Sequence, residues 1–370
     1  MCRPNNNEIE ISLFGPGYGE AIAVHIGNEK WILIDSCINN KTQYPVSLEY
    51  LNNLGIDVER SVIMITATHW HDDHIKGLSQ IYNTCNNANF VFSAALKDSD
   101  YKKLFSIYER NKPSIEGSGV DEFTEIFNKL ILKRNHFSFA DQDKLLFRDN
   151  FIIDSVTYPV LIWSLSPTNE AILQSVFSIN NLIKLSGQKK RVPPPSPNYA
   201  AVVLLICIGN DCILLGADLE SNNKKFGWDN IINNSTVLQS HKKSIFIYKV
   251  AHHGSESSDH SHIWDILLKE NPYSMVTPFI NGCNFIPSIK DIERLNSLTA
   301  NAYITNSIKH KKQFKWTEKA VSELFHKATI DSIDIDNGFG SISLKKIIGA
   351  HDNDWSIKLN GSACHLNQCL

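Results

Sequence analysis

Ser61-Val62-Ile63-Met64-Ile65-Thr66-Ala67-Thr68-His69-Trp70-His71-Asp72-Asp73-His74-Ile75-Lys76-Gly77 is the stretch that decides the fold. Ser61 to Ile65 is an apolar run of strand length, and it leads straight into a cluster of imidazoles and carboxylates. A strand that stops at such a cluster places metal ligands on the rim of a sheet. An extended turn aims His69 and His71 at one ion, and Asp73 and His74 then reach a second ion beside it. Two-metal hydrolases hold their ions about 3.5–4 Å apart, clamping the attacking and leaving oxygens. The plain alternative is a polar loop rich in histidine, and the His-x-His-x-Asp-His spacing argues against it.

The same grammar recurs twice further on. The apolar run Cys212 to Leu215 ends in Gly216-Ala217-Asp218, and Ile245 to Val250 ends in Ala251-His252-His253-Gly254-Ser255. Strand ends on one edge of a sheet converge, so dispersed ligands build one site. Asp218 is expected to bridge two ions, and one of His252 and His253 to complete the second. His253 is favoured, with His252 packing or touching substrate, and the sequence leaves both open. Imidazole and carboxylate donors suit zinc, manganese or iron rather than a thiophilic ion. Positions left to water mark a catalytic rather than structural site. Two divalent ions are therefore expected, Zn²⁺ first and Mn²⁺ second. Metal-bound water falls to a pKa near 7, which makes hydrolysis by metal-bound hydroxide the default chemistry. Asp72, Asp73 and His253 are the catalytic candidates, with Asp72 orienting the hydroxide, and Asp35 is expected to hydrogen-bond behind the ligands.

The bulk numbers leave room for this site and exclude others. With 370 residues, 42% of them hydrophobic, the chain is long enough for one large α/β domain. A net charge of −3 offers no overall basic field, so a nucleic-acid partner needs a local patch. No stretch approaches the roughly 18 apolar residues of a membrane span, and Met1 to Ile9 carries no apolar signal segment. Eight scattered cysteines without a Cys-x-x-Cys pair suggest a reduced, cytoplasmic protein. Cys364, His365 and Cys369 form a weak metal pattern, for which unligated thiols are the simpler reading.

Ile9 to Phe14, Glu20 to Ile26 and Trp31 to Asp35 read as strands, and Tyr44 to Leu54 as a helix. Asp73 to Ile81 reads as helix and Asn89 to Ser93 as strand. Phe151 to Ser164 returns to strand, followed by a helix over Ile172 to Leu185. Ala200 to Ile208 and Cys212 to Leu215 are two strands around a Gly209-Asn210-Asp211 turn. The remainder alternates: Ile263 to Lys269, Ile289 to Leu298 and Trp316 to Lys327 as helices, Ser274 to Thr277, Ala302 to Thr305 and Gly340 to Leu344 as strands. Alternating strands and helices argue α/β architecture. Residues 97–140 break the rhythm with two charged amphipathic helices, Tyr101 to Arg110 and Asp121 to Arg134, expected as a capping insertion. Gly15-Pro16-Gly17-Tyr18-Gly19 lacks the spacing and following helix of a dinucleotide loop and reads as a tight turn.

At these residues the chain resembles the metallo-β-lactamase superfamily, most closely the hydrolase domain of competence-type DNA-uptake proteins. The His-x-His-x-Asp-His core is diagnostic of the superfamily. Phe14-Gly15-Pro16-Gly17-Tyr18-Gly19-Glu20-Ala21 resembles the subgroup's early glycine turn, and Ile32-Leu33-Ile34-Asp35-Ser36 its first acidic motif. Leu215-Gly216-Ala217-Asp218 and Lys249-Val250-Ala251-His252-His253-Gly254-Ser255 resemble the later motifs. Ser164-Leu165-Ser166-Pro167 and Asn337-Gly338-Phe339-Gly340-Ser341 resemble further landmarks. The resemblance implies one αββα sandwich over 1–370, with the helical insertion at about 97–140 and a short tail at about 346–370. It implies a dinuclear hydrolase, a nuclease or other phosphodiesterase. The alternatives are a hydrolase of a small phosphoester or lactone, and a partner-gated effector component docked through the 97–140 insertion. Between the first motif and Asp218 many members carry another histidine ligand. Here only His136 is available, without strand context, and a surface or packing role suits it better.

Remaining candidates are weighed against duller roles. His260 and His262 mimic a ligand pair, yet Asp259 reads as a helix cap before Ile263. Ser255, Ser257 and Ser258 suit phosphate contact or a plain turn. Asn198 lines a cleft or caps a loop. Lys309-His310-Lys311-Lys312-Gln313-Phe314-Lys315-Trp316 mixes cations with aromatics, and Lys311 and Lys312 become nucleic-acid contacts if that run meets a phosphate backbone. Lys189, Lys190 and Arg191, before a proline run, add to the same patch.

Overall fold

The computed structural model describes residues 2–96, 119–133, 136–187, 198–221, 225–281, 284–311, 332–335, 339–351 and 354–369. The first half runs β1 (Glu8–Gly15), β2 (Ala21–His25), β3 (Trp31–Ile34), α1 (Val46–Asn53), α2 (Val58–Ser61), β4 (Val62–Ala67), α3 (Asp72–Ile75), α4 (Leu78–Thr84), β5 (Asn89–Ser93), α5 (Gly119–Lys133) and β6 (Phe137–Ala140). Then follow β7 (Lys144–Ile153), β8 (Val156–Ser164), α6 (Asn169–Gly187), β9 (Leu204–Ile208), β10 (Asp211–Leu215), α7 (Trp228–Asn234), α8 (Thr236–Ser240), β11 (Ile245–Lys249) and β12 (Leu268–Val276). The chain closes with β13 (Phe279–Asn281), β14 (Asn284–Ile286), α9 (Ile289–Leu298), β15 (Ala302–Ile304), β16 (Ile308–Lys311), β17 (Ser332–Ile335), β18 (Gly340–Ile347), β19 (Ser356–Gly361) and β20 (Cys364–His365).

Two eight-stranded sheets form the centre, ordered β19-β18-β1-β2-β3-β4-β5-β6 and β20-β15-β12-β11-β10-β9-β8-β7. Alternation in the outer strands sets their facing. Ile9, Ile11 and Leu13 of β1 point between the sheets, where they meet Leu204, Ile206, Ile213 and Met275 of the other layer. The inner parallel strands have no polar face: Trp31–Ile34 and Ile245–Lys249 are buried throughout, as strands covered on both sides must be. A second core packs Leu48, Leu51, Leu78, Ile81, Phe123 and Ile126 onto the outside of the first sheet. A third packs Trp228, Ile231, Leu238, Ile292 and Leu295 onto the outside of the second. The result is the αββα sandwich.

Strands β3 to β6 run parallel, as do β10, β11, β12 and β15. Their carboxyl ends deliver Asp35, Thr68, Gly216, Val250 and Thr277 to one edge. Crevices outside such ends are where α/β sheets bind ligands.

Several sequence expectations change. The stretch 97–140 divides: its first helix lies outside the described residues, while the second is α5, whose Phe123, Ile126 and Leu130 belong to the first outer core. Glu122 accepts the backbone N–H groups of Gly77 and Ser79, both at 2.8 Å, and β6 then joins the first sheet parallel to β5. So the described part of this stretch is a strand–helix–strand crossover within the layer. Within 346–370, expected as a short tail, β19 and β20 pair at the edges of the two sheets. Phe151 to Ser164 is a hairpin, β7 turning into β8 at Asp154-Ser155, both with positive φ. Ile263 to Lys269 gives only a wide helical turn to Leu267, after which β12 begins. The helix expected at Trp316 to Lys327 lies outside the described residues. Cys207 and Cys212 sit directly opposite across the β9–β10 pair, Cα to Cα 4.2 Å, and are joined by a disulfide. The expectation of wholly reduced cysteines is corrected there. Among the described residues no helix is long and apolar enough to cross a membrane.

Candidate metal centre

The turn after β4 is held by its own backbone. His74 N–H bonds the His71 carbonyl at 3.0 Å, and Ser36 N–H bonds the His74 carbonyl at 2.6 Å, tying the turn to the end of β3. Gly19, at φ +97°, lets the preceding loop pass so close that an added Cβ would sit 3.1 Å from the Asp73 carbonyl. The neighbouring Glu20 N–H bonds that same carbonyl at 2.9 Å.

Asp218 arrives from the second sheet. Gly216 allows close approach, since a Cβ there would lie 3.0 Å from the Ala251 backbone. Ala217 turns at φ 46°, and its carbonyl accepts the His252 N–H at 2.8 Å. His252 and His253 then take successive left-handed conformations, φ 47° and 55°. This unusual pair turns the two rings to different places.

The ligand-type atoms collect in two groups that share one carboxylate. His69, His71 and Asp218 form the first; Asp73, His74, Asp218 and His253 form the second, and within each the donor atoms all lie within 4.8 Å. Asp218 Oδ2 lies 3.8 Å from His69 Nε2, 3.4 Å from His74 Nε2 and 3.8 Å from His253 Nε2. Asp73 Oδ2 lies 3.6 Å from His74 Nε2 and 3.4 Å from His253 Nε2. His69 Nε2 and His71 Nδ1 are 3.2 Å apart.

The far sides of these rings are occupied. Asp35 accepts from Thr68 N–H and Thr68 Oγ1–H, both at 2.7 Å, and its Oδ2 bonds His74 Nδ1 at 2.8 Å. His253 Nδ1 meets the Thr277 carbonyl at 3.1 Å and its hydroxyl at 3.2 Å. His69 Nδ1 meets Thr68 Oγ1 at 3.0 Å. The near sides are not: His74 Nε2, His253 Nε2 and Asp218 Oδ1 are buried without a hydrogen-bond partner. A ring fixed at one nitrogen and bare at the other is how a metal-ligating histidine is presented. Buried polar atoms left without a partner cost about 1–3 kcal/mol each, so their convergence at one point fits a divalent cation.

Charge tells the same story. Burial alone would depress His74 and raise Asp218. Instead Asp218, Asp73, Glu20 and Asp35 hold His74 well above its ordinary range, while His74 and His253 hold Asp218 well below. His69, buried and next to His74, is pushed well down. The cluster therefore demands positive charge at His74 and offers a neutral ligand at His69.

The remaining sequence candidates fall around this centre. His252 belongs to neither group; its Nδ1 faces Ser257 Oγ at 3.3 Å and lies 3.9 Å from Glu220. Asp72 opens α3 on the exposed side, in neither group. Asn198 is buried, donates to Glu220 at 3.2 Å and keeps a bare Oδ1. Ser255 caps the short turn after His253 and lies 3.1 Å from the Ser257 hydroxyl. Lys311 ends β16, a strand described by its backbone, and Lys312 lies outside the described residues, as does 189–191. His136 is exposed before β6. His260 bonds Asp229 at 3.1 Å, and Asp259 serves Trp264 and Arg294 rather than capping a helix. His365 reaches the Ala300 carbonyl at 2.7 Å.

The sequence reading missed Glu20, Thr68, Lys249, Thr277 and Tyr18. The signal for two of them was present: a lysine ending the apolar strand Ile245–Lys249 and a glutamate opening the apolar strand at Ala21 are charges in buried company, and such charges need partners. Tyr18 stands 38% exposed at the mouth, its ring 5.6 Å from that of Phe279, which in turn lies 5.3 Å from the His253 ring. Burial, Asp73 and Asp72 push the Tyr18 phenol up to about 12.

A family model for the metallo-beta-lactamase superfamily matches residues 14–138, taking in His69 to His74. Among solved structures the chain is similar to a B3 metallo-beta-lactamase with an active-site glutamic acid, at 14% identity and a TM-score of 0.31, over 59% of this chain and 62% of that one, under two thirds of its length. It is similar to a mutant metallo-beta-lactamase from Cronobacter sakazakii at 12% identity and 0.34, over 66% and 77%. It is also similar to a mutant flavo di-iron protein from Thermotoga maritima at 9% and 0.25, over 59% and 38%. No curated protein matches the chain. The two large sheets with helices on their outer faces match the metallo-β-lactamase αββα fold. The superfamily is typically hydrolytic and binds divalent metals, often two, and the cluster around Asp218 supplies candidate ligands for them.

Proposed function

We propose that this chain is a dinuclear metal-dependent phosphodiesterase whose substrate is nucleic acid. The observation that carries the reading is the set of bare buried atoms, His74 Nε2, His253 Nε2 and Asp218 Oδ1, where two ligand groups share one carboxylate. His69, His71 and Asp218 would hold one cation, and Asp73, His74, His253 and Asp218 the other. Divalent cations there supply Lewis acidity and lower the pKa of water toward neutrality.

The chain's own groups do the rest. Asp35 and Thr277 fix the ring faces of His74 and His253, so the ligands need little reorganisation. Tyr18, neutral at all physiological pH, offers a hydroxyl donor beside the anionic mouth. Its ring and that of Phe279 give a surface on which a base stacks, a contact worth about 1–3 kcal/mol per base in single-strand binders. Asn198, Glu220 and His252 line a polar rim. The Tyr18–Phe279 pair and the likeness of the motifs to DNA-uptake hydrolases favour nucleic acid over a small ester or lactone. The apolar face of α5 is spent in the core, so the described part of 97–140 gives a partner-gating role no support.

The test incubates purified protein with single- and double-stranded DNA and RNA, and with bis(p-nitrophenyl) phosphate, in Zn²⁺ or Mn²⁺. Expected is cleavage of nucleic acid that Asp218→Ala abolishes. Turnover of the chromogenic diester alone shifts the reading to a small phosphoester, and cleavage equal in Asp218→Ala rejects the site.

A further inference from the structure

Behind the ligand groups lies a charge pair with no exposure to solvent. Lys249 Nζ sits 2.6 Å from Glu20 Oε1, and both side chains are buried to within 1%. Lys249 also donates to the Ala217 carbonyl at 3.2 Å, one residue before Asp218. Glu20 Oε2 accepts from Thr277 Oγ1 at 2.5 Å, the hydroxyl that also meets His253 Nδ1. Glu20 Oε1 lies 3.7 Å from His74 Nδ1, and Oε2 3.7 Å from His253 Nδ1. The pair thus touches the supports of three ligands at once: Asp218 through Ala217, His253 through Thr277, and His74 directly.

Four carboxylates, those of Glu20, Asp35, Asp73 and Asp218, crowd this space. Among the described residues Lys249 is the one lysine or arginine paired with any of them. A buried ammonium there is costly unless matched, and a plain packing role would be filled as well by methionine. We propose that Glu20 and Lys249 act as positioning residues that set the charge of the metal cage: Lys249 cancels one carboxylate behind the ligands, while Glu20 keeps that ammonium from repelling incoming cations. The proposal rests on the cation-holding part of the function above, not on its substrate.

Its signature is one of sign. Glu20→Gln leaves a bare ammonium behind the ligands, and Zn²⁺ or Mn²⁺ binding weakens by about tenfold or more, as for other partners of ligating residues. Lys249→Met leaves surplus negative charge: the metal-free protein melts earlier, yet cations bind no more weakly than in wild type. The double variant, neutral at both positions, returns to within about threefold of wild type. Calorimetric titration of the metal-free full chain with Zn²⁺ and with Mn²⁺ reads these constants, and thermal melts read the folds. Equal weakening by both single variants, or a double variant no tighter than Glu20→Gln, overturns the proposal. If Lys249→Met fails to fold, the comparison of Glu20→Gln with the double variant decides. If neither carrier of Lys249→Met folds, unchanged affinity in Glu20→Gln overturns it, and about tenfold loss upholds it. Wild-type protein that binds no cation defeats the functional reading itself, a result separate from these.

Discussion

The two ligand groups that share Asp218 are built differently. On one side Asp73, His74 and His253 are buried, and each imidazole is buttressed on its far nitrogen by Asp35 or Thr277. On the other side His69 has a single threonine hydroxyl behind it, and His71 is partly exposed on the turn that opens α3. The first side carries two carboxylates, Asp73 and Asp218; the second has only the shared one. A buried, braced group with two carboxylates next to a lightly braced one with a single shared carboxylate would give two cations unequal affinity. The missing intermediate histidine, for which His136 is no substitute, falls on the weaker side.

The largest effect expected from this contrast comes from removing one ligand on each side. His253→Ala should lose the tight ion and His71→Ala only the weak one. Stepwise dialysis against a chelator, with metal analysis of the retained protein, reads the difference; identical release curves for the two variants would erase the distinction. A smaller effect tests the braces. Asp35→Asn should weaken the tight site by about 10–100-fold, whereas Thr68→Val, which removes the hydroxyl behind His69, should cost less at the weak site because its Asp35 contact through the backbone N–H survives. Competition with a fluorescent zinc indicator measures both, and a greater loss in Thr68→Val than in Asp35→Asn would reverse the ranking.

A last test, read on stability rather than on metal affinity, separates the fold's pH dependence from that of the site. His25, at the opposite end of β2 from Glu20, is buried, and burial, with Lys345 and Arg3, lowers it from 6.5 to about 4 despite the Glu8 carbonyl. The unfolded chain takes up this proton near pH 6.5, the folded one only near 4. Stability should therefore be full above 6.5, fall by roughly 3 kcal/mol as pH drops to 4, and change no further below. His25→Gln should remove that slope in denaturant unfolding of the metal-free protein. What slope remains is shared by the ligand cluster and by paired carboxylates such as Asp149 and Glu125, both held below their ordinary range by lysine partners. Parallel curves for variant and wild type would show that His25 contributes nothing.

What was legible in the sequence follows from how local each signal is. His69 to His74 lie in six residues on one turn, so their spacing alone proposed the site. Asp218 and His253 were legible because each follows an apolar run, and strand ends gather at a sheet edge. The choice between His252 and His253 was not, since it depends on two left-handed residues in succession that no propensity announces. The buttresses were hidden for another reason: Glu20, Lys249 and Thr277 come from three strands, and only the parallel pairing of β10, β11 and β12 and the packing of one sheet on the other make them neighbours. In the fold, β5, α9 and the strands around the first turns were readable from periodicity. The role of α5 was not, because its charged face resembles that of an exposed helix until β6 is seen to pair behind it.

The imidazoles at 69, 71 and 74 hang from one sheet, while Asp218 and His253 hang from the other. The cage therefore spans the seam of the sandwich and comes into being only when both layers have closed. A growing chain that has released β1 to β6 carries the chelating turn but no cage until residue 253 has emerged and docked, and β18 and β19 complete that sheet later still. Cation capture would then wait on the meeting of the two layers, and a bound ion would act as a rivet between them.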